Sequence, residues 1–527
     1  MPADQDKYIL AVDLGTSGLK VALVSSRGDV VGCEIEALPL FLLPDGGAEQ
    51  HPDDWWNGIK NATRRLVGSG LVPIDEIVAV SCTAQWSGTV AVDRGGYPLM
   101  KAIIWMDSRG ARYVKRVTGG PITVEGYGIE KLLIWLRLTG GIPAHSGKDS
   151  IAHILYIRNE LPEIYRQTYK FLEPKDYLNL RLTGRYAASY DSIALHWVTD
   201  NRNITQIVYD ERLLKMVALE REKLPDLQRA IDILGPIKPE VAAELGLNEK
   251  VQVVVGTPDV HSAAIGAGAV RDYEGHLYIG TSSWLTCHVP FKKTDILHNM
   301  ASLPSPIPGR YFIANEQECA GVCLDVLRDN ILYHRDELAA APPHDVYDHF
   351  NEVAARVPAG SDKLIFTPWL YGERTPVEDR FVRGGFFNQS LKTTREHFIR
   401  AVFEGVAYNS RWLLGSVERF ARRRLDPINM IGGGANSNLW CQIHADVLDR
   451  TIRQVKAPIW ANARGAALLA STALGYITLD EIREQVQIAN TYEPNPENRE
   501  IYDELFKEFV NLYKKNRGIY ARLNRAV

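Results

Sequence analysis

The chain lacks three features that would assign it to a special class of protein. It has little excess charge, because 60 Lys and Arg residues nearly balance 64 Asp and Glu residues, leaving a net charge of −4. No apolar run approaches the ~20 residues that span a bilayer, and the opening MPADQDKYIL has no signal-peptide pattern. These absences predict a cytoplasmic protein with no nucleic-acid or membrane partner.

Cysteine is also scarce. Of the six cysteines, Cys319 and Cys323 are the one pair close together in the sequence. Neither a histidine nor a second pair completes a set with the spacing of a zinc site. We therefore interpret all six as reduced thiols of a cytosolic protein. A metal at Cys319 and Cys323 is the less favoured alternative. The six residues are Cys33, Cys82, Cys287, Cys319, Cys323 and Cys441.

The length predicts more than one domain. A chain of 527 residues exceeds what one hydrophobic core usually holds. Its composition, 46% hydrophobic and 24% charged residues, is ordinary for a globular protein. A second cluster of strands is expected from KVQVVVGTPD onward. We therefore predict an α/β protein with an N-terminal domain over residues 1–255 and a C-terminal domain over residues 256–527.

The stretch YILAVDLGTSGLKVALVSSRGDVV predicts three strands joined by two tight turns. Tyr8–Asp13 is mostly apolar, as a buried strand should be, and GTSG and SRGD supply the turns. HPDDWWNGIKNATRRLV then predicts a helix with Trp55, Ile59 and Leu66 on one side, and AIIWMD a further strand. A second Gly-Thr-Ser turn in HLYIGTSSWLTCHV suggests two related halves.

The first of these turns, DLGTSGLK, has the composition of a phosphate-binding segment. Glycines add no side-chain bulk, so backbone N–H groups can approach phosphate oxygens closely. Thr16, Ser17 and Lys20 can add donors, and Asp13 could hold a hydrated Mg²⁺. Taken alone, the segment is more often an ordinary hairpin turn. GIPAHSGKDS is not a P-loop, since five residues separate its glycines and Asp149 follows Lys148.

A run of three glycines, in IGGGANSN, follows an apolar stretch and precedes a predicted helix. This order lets a flat or phosphorylated ligand lie close to the backbone at a helix start. Gly432, Gly433, Gly434 and Asn436 are therefore candidate nucleotide contacts. The alternative is that Asn436 or Ser437 simply caps the helix.

Several motifs occur in a fixed order along nearly the whole chain. DLGTSGLK and YIGTSS are similar to two phosphate segments, EQHPDDWW to a Gln-x-Pro-x-x-Trp stretch, and PKDYLNLRLTG to a linking segment. PWLYGERTP and GGGANSNLWCQIHADVL follow, the latter similar to a nucleotide-binding signature. In this order the motifs resemble the FGGY family of carbohydrate kinases, most closely its xylulokinase branch.

The resemblance implies two actin-like (ribonuclease H-like) domains with nucleotide and sugar meeting in the cleft between them. It implies transfer of the γ-phosphoryl group of ATP to a sugar or polyol hydroxyl with Mg²⁺, by a monomer or a homodimer. The expected contacts to phosphates and nucleotide, beyond the glycine-rich turn, are Asp13, Thr16, Ser17, Lys20, Gly280, Thr281 and Ser282.

Asp259 falls where the family has its catalytic aspartate. It lies in VVVGTPDVHSAAIGAG, between valines and small residues that would normally reject a charge. A carboxylate there could take the proton of a sugar hydroxyl, and apolar surroundings would strengthen its basicity. Asp13 and Asp259 are the expected metal ligands. The alternative is that Asp259 caps the following segment.

The expected sugar contacts are Gln85, Trp86, Trp105, Asp107 and His261. Several neighbouring positions depart from the xylulokinase pattern. Ser87 stands where His is usual, Met106 where Asn is usual, and Val260 where Asn follows the catalytic aspartate. We therefore expect a sugar other than D-xylulose to be the best substrate.

For Trp105, a purely structural role is the less favoured alternative, whereas for His261 a structural role is the favoured interpretation. A catalytically weak sugar-binding regulator on the same fold is the competing function. An ATPase without a sugar substrate would leave Asp107 and Gln85 unexplained.

Overall fold

The first half of the chain is built on one central sheet. We describe a computed structural model that covers residues 7–334, 336 and 341–525. The strands up to residue 255 are β1 (Tyr8–Leu14), β2 (Gly18–Ser25), β3 (Val30–Ala37), β4 (Phe41–Leu42), β5 (Ala48–Gln50), β6 (Ile77–Ala84), β7 (Val90–Val92), β8 (Ala102–Ile103), β9 (Thr123–Val124), β10 (Tyr127–Gly128), β11 (Lys170–Leu172), β12 (Ala187–Ser189), β13 (Thr199–Asp200), β14 (Val208–Tyr209), β15 (Asp226–Gln228), β16 (Ile233–Pro236) and β17 (Gln252–Val254). The helices are α1 (Pro52–Gly68), α2 (Ala111–Thr118), α3 (Ile129–Leu138), α4 (Ser150–Glu160), α5 (Pro162–Gln167), α6 (Pro174–Thr183), α7 (Glu211–Val217) and α8 (Pro239–Leu245).

The central sheet has the strand order β16-β17-β6-β1-β2-β3. The three predicted N-terminal strands are confirmed as the antiparallel set β1, β2 and β3, and β6 runs parallel to β1. β1 is a near-continuous apolar run because both faces of the sheet are covered. The predicted helix is confirmed as α1, which buries Trp55, Ile59 and Leu66.

The second half repeats this plan. Its strands are β18 (Gly275–Ile279), β19 (Ser283–Thr286), β20 (His288–Val289), β21 (Thr294–Asp295), β22 (Met300–Pro304), β23 (Tyr311–Ala314), β24 (Ile365–Thr367), β25 (Gly385–Phe387), β26 (Ile428–Ile431), β27 (Ile452–Val455) and β28 (Ile488–Tyr492). Its helices are α9 (Asp259–Gly266), α10 (Val322–Val326), α11 (Val346–Ala355), α12 (Arg395–Ala421), α13 (Asn438–Leu448), α14 (Ala461–Ala473), α15 (Ile482–Gln485) and α16 (Arg499–Asn524).

The second central sheet has the order β19-β18-β26-β27-β28. As in the first half, an antiparallel hairpin, here β18–β19, is followed by parallel strands, here β26 and β27. A Gly-Thr-Ser turn closes each hairpin, at Gly15–Ser17 and at Gly280–Ser282. The predicted relation between the two halves is therefore confirmed in their topology.

The helix α14 lies at the contact between the two halves, and there it also crosses α9 of its own half. A Cβ atom placed on Gly266 would lie 1.7 Å from the carbonyl oxygen of Ala461, and one placed on Gly465 would lie 1.9 Å from that of Ser262. The helix backbones are thus in direct contact. The alanines of α14 also pack on β1 and β2, in a cluster that includes Ile9 and Val24. One helix therefore couples both sheets.

A second contact between the halves lies beside β20–β23, which form a sheet of order β20-β23-β22-β21. Leu303 of β22 belongs to the hydrophobic cluster around Trp135 and Trp197. The Tyr311 hydroxyl donates to the backbone carbonyl of Asn201 at 2.8 Å.

The stretch AIIWMD differs from its prediction. It is a strand over Ala102–Ile103 alone, and then turns, with the Asp107 N–H donating to the Ile104 carbonyl at 2.9 Å. None of the helices in the described part of the chain has the length and apolar character that a membrane crossing requires.

Replacing Gly465 with alanine should destabilise the protein. The added methyl group overlaps the backbone of α9 and forces two rigid helices apart, which typically costs ~1–3 kcal/mol. We expect a melting temperature several degrees below that of the unaltered protein, since ~1 kcal/mol shifts it by a few degrees in a chain of this size. Thermal unfolding followed by circular dichroism measures this.

Gly68→Ala is the matched control, because a Cβ atom at Gly68, in the last turn of α1, has no atom within 4 Å. We expect its melting temperature to stay close to that of the unaltered protein. Equal stability of the two variants would show that the helix crossing tolerates a wider separation than described above.

Candidate active site

The β1–β2 turn brings a carboxylate and an ammonium group to the rim of the first sheet. Asp13 ends β1 at 3% exposure, and its Oδ2 accepts from Lys20 Nζ at 3.2 Å. This pairing with Asp13 is the main reason why the pKa of Lys20 is raised. Ser17 is exposed at the tip of the turn, and its carbonyl accepts from the Leu38 N–H at 3.1 Å.

Thr16 is committed to a chain of internal hydrogen bonds. Its hydroxyl donates to Gln85 Oε1 at 3.1 Å and accepts from the indole N–H of Trp105 at 2.9 Å. The Gln85 amide donates in turn to Gln50 Oε1 at 2.8 Å, and the Gln50 amide donates to the Thr16 carbonyl at 2.7 Å. Thr16 therefore ties the phosphate turn to the stretches predicted to bind sugar.

The β18–β19 turn lies beside the glycine-rich turn, which lines the same cavity as Lys20. Thr281 is exposed, and the carbonyls of Gly280 and Thr281 accept from the N–H groups of Gly321 and Ala320 at 2.7 and 2.8 Å. The hydroxyl of Ser282 lies against Glu316. These bonds fix the turn and leave its tip open.

The glycine-rich turn borders an open cavity of about 260 Å³. Gly432 has φ +88° and passes so close to Ile279 that a Cβ atom would lie 2.5 Å from its carbonyl oxygen, whereas Gly433 faces open space. Ser437 caps α13 by accepting from the Trp440 N–H, and Asn436 is exposed. The cavity is lined by Lys20, Ile35, Tyr278, Gly432, Gly433, Pro458, Ile459, Trp460 and Asn462.

Asp259 is the first residue of α9 and is half-buried at the point where the two halves meet. Its Oδ1 accepts from the Val260 N–H at 2.8 Å, and the backbone N–H of Trp86 also lies against the carboxylate. Burial, reinforced by the nearby negative charge of Asp13, raises the pKa of Asp259 to about 8. A carboxylate in this environment is a strong base with unusually high proton affinity.

The residues predicted to bind sugar divide into two groups. Trp105 is half-buried, and Trp86 is half-buried with its indole N–H donating to the Ser192 carbonyl at 3.0 Å. Asp107 is 1% exposed, and its carboxylate accepts from the Ala48 N–H and from the backbone and side chain of Arg109. These bonds occupy the Asp107 carboxylate, which therefore positions the turn after Trp105. A sugar contact by Asp107 stays a prediction.

His261 and Gln85 are also enclosed. The His261 ring packs between those of Trp86 and Phe312, with centroids 4.9 and 4.5 Å away, and burial lowers its pKa to about 3. A neutral, fully buried imidazole matches the structural alternative better than a sugar contact. Gln85 is buried in the Thr16 network described above.

The sequence did not predict the charged group beside Trp105, which consists of Lys148, Glu316, Glu318 and Arg374. Arg374 pairs with Glu316 and Glu318, and Lys148 Nζ lies 3.3 Å from Glu318 Oε1. These residues come from three loops far apart in the sequence, so no spacing pattern could reveal them. The one available signal was that Arg374 stands in PWLYGERTP, a stretch that resembles the family.

The cysteines are free thiols. Within the described residues, no group of three or more His, Cys, Asp or Glu side chains is arranged to hold a metal ion, so nothing supports a metal at Cys319 and Cys323.

Models of one protein family match both halves of the chain. The N-terminal domain of the FGGY family of carbohydrate kinases matches residues 8–266, and the C-terminal domain of that family matches residues 276–474. The chain is 28% identical over 526 residues to a xylulose kinase of Bacillus subtilis (strain 168), covering 98% of this chain and 99% of that protein. It is 26% identical over 517 residues to a gluconokinase of the same strain, with 98% and 97% coverage.

A solved structure agrees in fold. The gluconate kinase from Lactobacillus acidophilus superposes with a TM-score of 0.85 at 25% identity, covering 98% of this chain and all of that one. The matched domains do not test the predicted boundary between residues 255 and 256. Since both family domains match in order across the two related halves, the chain belongs to the FGGY family of carbohydrate kinases and is an ATP-dependent sugar kinase.

Proposed function

We propose that the protein transfers the γ-phosphoryl group of ATP to a hydroxyl of a ketose or polyol, with Asp259 as the general base. The observation that carries this is the position of Asp259. Its carboxylate lies beside Asp13 of the phosphate turn and against the Trp86 backbone, where nucleotide and sugar would meet. The acceptor oxygen bonds to phosphorus as its proton passes to Asp259, and ADP leaves as the bond to the γ-phosphorus breaks.

The nucleotide would lie along the cavity between the two halves. Lys20 and the exposed tips of both Gly-Thr-Ser turns supply donors for phosphate oxygens, and the open face of Gly433 admits the nucleotide close to the backbone. The Thr16 hydroxyl is already bonded to Gln85 and Trp105. Thr16 would therefore fix the first turn in place and would not donate its hydroxyl to a phosphate. Gly280, Thr281, Ser282, Gly434 and Asn436 complete the proposed set.

Asp13 and Asp259 fit a Mg²⁺ ion delivered with the nucleotide. They are two carboxylates close enough to interact, and a divalent cation between them would relieve their repulsion. Mg²⁺ is usually held by one or two carboxylates together with phosphate oxygens and water, so a larger cluster is not required. When bound, the ion would neutralise charge on the phosphates during transfer.

The location and assembly of the protein are further proposals. We infer that it works in the cytoplasm, which supplies ATP and keeps thiols such as its six cysteines reduced. A homodimer and a monomer remain alternatives that analytical ultracentrifugation distinguishes.

The acceptor is expected to differ from D-xylulose. Relatives include a xylulose kinase and a gluconokinase, so the fold accommodates more than one acceptor. At positions near the site, Ser87 donates its hydroxyl to the Lys148 carbonyl, and Met106 and Val260 offer no polar group. A buried sugar hydroxyl that loses its partner costs ~1–3 kcal/mol, which is roughly 5- to 150-fold in affinity.

The test of the proposed function is ADP release measured over a panel of four- to seven-carbon ketoses, polyols and aldonates. We expect acceptor-dependent release of ADP, with at least one compound giving a higher kcat/KM than D-xylulose. A tenfold or greater lead for D-xylulose would contradict the specificity proposal. Binding of a panel sugar without ADP release would indicate the sugar-binding regulator instead.

Asp259→Asn should abolish turnover without weakening the fold. The amide keeps the shape of the carboxyl group but cannot accept the proton, so we expect kcat to fall by at least ~10²-fold. The pKa of Asp259 is about 8 when folded and ~3.9 when unfolded. Between these values the unfolded chain binds fewer protons, so ionising Asp259 lowers stability as pH rises.

The asparagine variant removes this ionisation cost, and at pH 7 its melting temperature should equal or exceed that of the unaltered protein. Steady-state kinetics and thermal unfolding at pH 5 and pH 7 measure both effects. Near-normal turnover would exclude Asp259 from the chemistry. A large fall in melting temperature at pH 7 would assign it a structural role.

Gly433→Val should weaken nucleotide binding selectively. No atom lies within 4 Å of a Cβ atom at Gly433, so the side chain fits the protein but occupies the cavity. We expect the KM for ATP to rise by roughly tenfold or more, since steric overlap costs ~1–3 kcal/mol, with acceptor KM and melting temperature little changed.

Gly432→Ala is the contrasting variant. At φ +88° and 2.5 Å from the Ile279 carbonyl, its methyl group strains the backbone and should lower the melting temperature. The contradicting result would be that Gly433→Val raises the KM values for ATP and for the acceptor equally and lowers the melting temperature. That result would show that Gly433 is needed for folding and not for nucleotide binding.

A further inference from the structure

The loop before α4 is held firmly against the sugar-side segment. Ser87 Oγ donates to the Lys148 carbonyl at 2.7 Å. Glu173 joins the two segments a second time, because its carboxylate accepts from the Gly88 N–H at 3.0 Å and from the Ser150 hydroxyl. On the next residue, the Asp149 carboxylate accepts from the indole N–H of Trp197 at 2.7 Å. The backbone of Lys148 is therefore fixed from several directions.

The ammonium group of Lys148 is enclosed but has spare donors. Its side chain is 15% exposed, and Nζ lies 5.9 Å from the Trp105 ring and 5.5 Å from the Tyr371 ring. Burial, with Arg374 nearby, lowers its pKa. Within the described residues it donates one hydrogen bond, at 3.3 Å to Glu318. An ammonium group has three N–H donors, so two lack a protein partner in a place where water is largely excluded.

Glu316 connects this ammonium group to the proposed base. Glu316 interacts electrostatically with Asp259 and also with Lys148 and Arg374. Arg374, whose guanidinium lies 5.9 Å from the Trp105 ring, pairs with Glu316 and Glu318. The charged group thus extends from Asp259 to the face of Trp105.

The charges of this group favour an uncharged ligand. Lys148 and Arg374 are paired with Glu316 and Glu318, so an added carboxylate would meet no unpaired positive charge. The hydroxyl groups of an uncharged ligand can accept hydrogen bonds from the two free N–H donors of Lys148 without adding a charge to the site. An aromatic face such as that of Trp105 suits the C–H face of a polyol.

We propose that Lys148 is an acceptor-binding residue, which donates hydrogen bonds to hydroxyls of an uncharged polyhydroxy acceptor lying on Trp105. It supplies polar contacts in place of those that Ser87, Met106 and Val260 do not make. This inference rests on the proposed kinase function. It makes Lys148 a determinant of which acceptor is used, and it disfavours aldonates.

The alternative is that Lys148 serves only as a tie between the two halves, since Glu318 belongs to the second half and Lys148 to the first. Lys292 offers a matched comparison. Its Nζ also crosses between the halves, donating to the carbonyls of Leu136 and Arg137 at 2.8 and 2.7 Å. It is not part of the charged group beside Trp105.

The experiment compares Lys148→Met with Lys292→Met, using the best acceptor from the panel. Loss of a hydrogen bond from a charged donor typically weakens binding by about tenfold or more. We therefore expect Lys148→Met to raise the acceptor KM at least about tenfold while the KM for ATP changes less than about twofold, and Lys292→Met to leave both values unchanged. Lys148→Gln, which keeps a polar group in the enclosed site, replaces the methionine variant if that variant does not fold.

Deoxy analogues of the acceptor give a second readout that a structural tie would not move. Removing the hydroxyl that contacts Lys148 should raise KM in the unaltered enzyme but not in Lys148→Met. The inference is overturned if Lys148→Met retains the acceptor KM, or if both lysine variants raise the KM values for ATP and acceptor alike. If the unaltered protein releases no ADP with any acceptor, the proposed function is wrong, and this inference, which rests on it, is wrong as well. If aldonates lead the panel, the uncharged-acceptor part is wrong while the kinase function stands.

Discussion

The close crossing of α9 and α14 is the contact on which the rest of the structure depends. Gly266 and Gly465 let the two helix backbones touch, and the small residues of α14 pack against the first sheet as well. Asp259 is the first residue of α9, so the position of its carboxylate is set by this crossing. A geometry that relies on backbone contact, with no side chain to adjust, holds the proposed base at a fixed place relative to the β1–β2 turn.

The electrostatics of the cleft follow from that placement. Asp259 lies near Asp13 and Glu316, and the positive charges of Lys20, Lys148 and Arg374 are each paired with one of the surrounding carboxylates. Because burial and like charge both raise the pKa of Asp259, its anion is costly in the ligand-free protein. The high proton affinity of this carboxyl group therefore lowers the stability of the folded protein, as is common for groups in active sites.

The residues predicted to bind sugar are held by a network of internal hydrogen bonds. Gln85 and Asp107, which the sequence predicts as sugar contacts, hold Thr16 and the turn after Trp105 in position. Their network joins the phosphate turn to Trp105 through the Thr16 hydroxyl. Trp105 is half-buried, and the side chains of Arg374 and Glu316 beside it are 24% and 22% exposed. Acceptor specificity would then depend on the loops that carry Lys148, Glu316 and Arg374.

The sequence by itself determined the class of fold, the relation between the halves, the two Gly-Thr-Ser turns and the helix α1. These depend on local patterns: apolar runs of strand length, small turn residues and one-sided helices. The tertiary structure alone decided which polar residues face the cleft, because Asp107 and His261 are enclosed by partners distant in the chain, while Lys148, Glu316 and Arg374 converge from separate loops. Burial and charge pairing are properties of the assembled chain, and no spacing in the sequence encodes them.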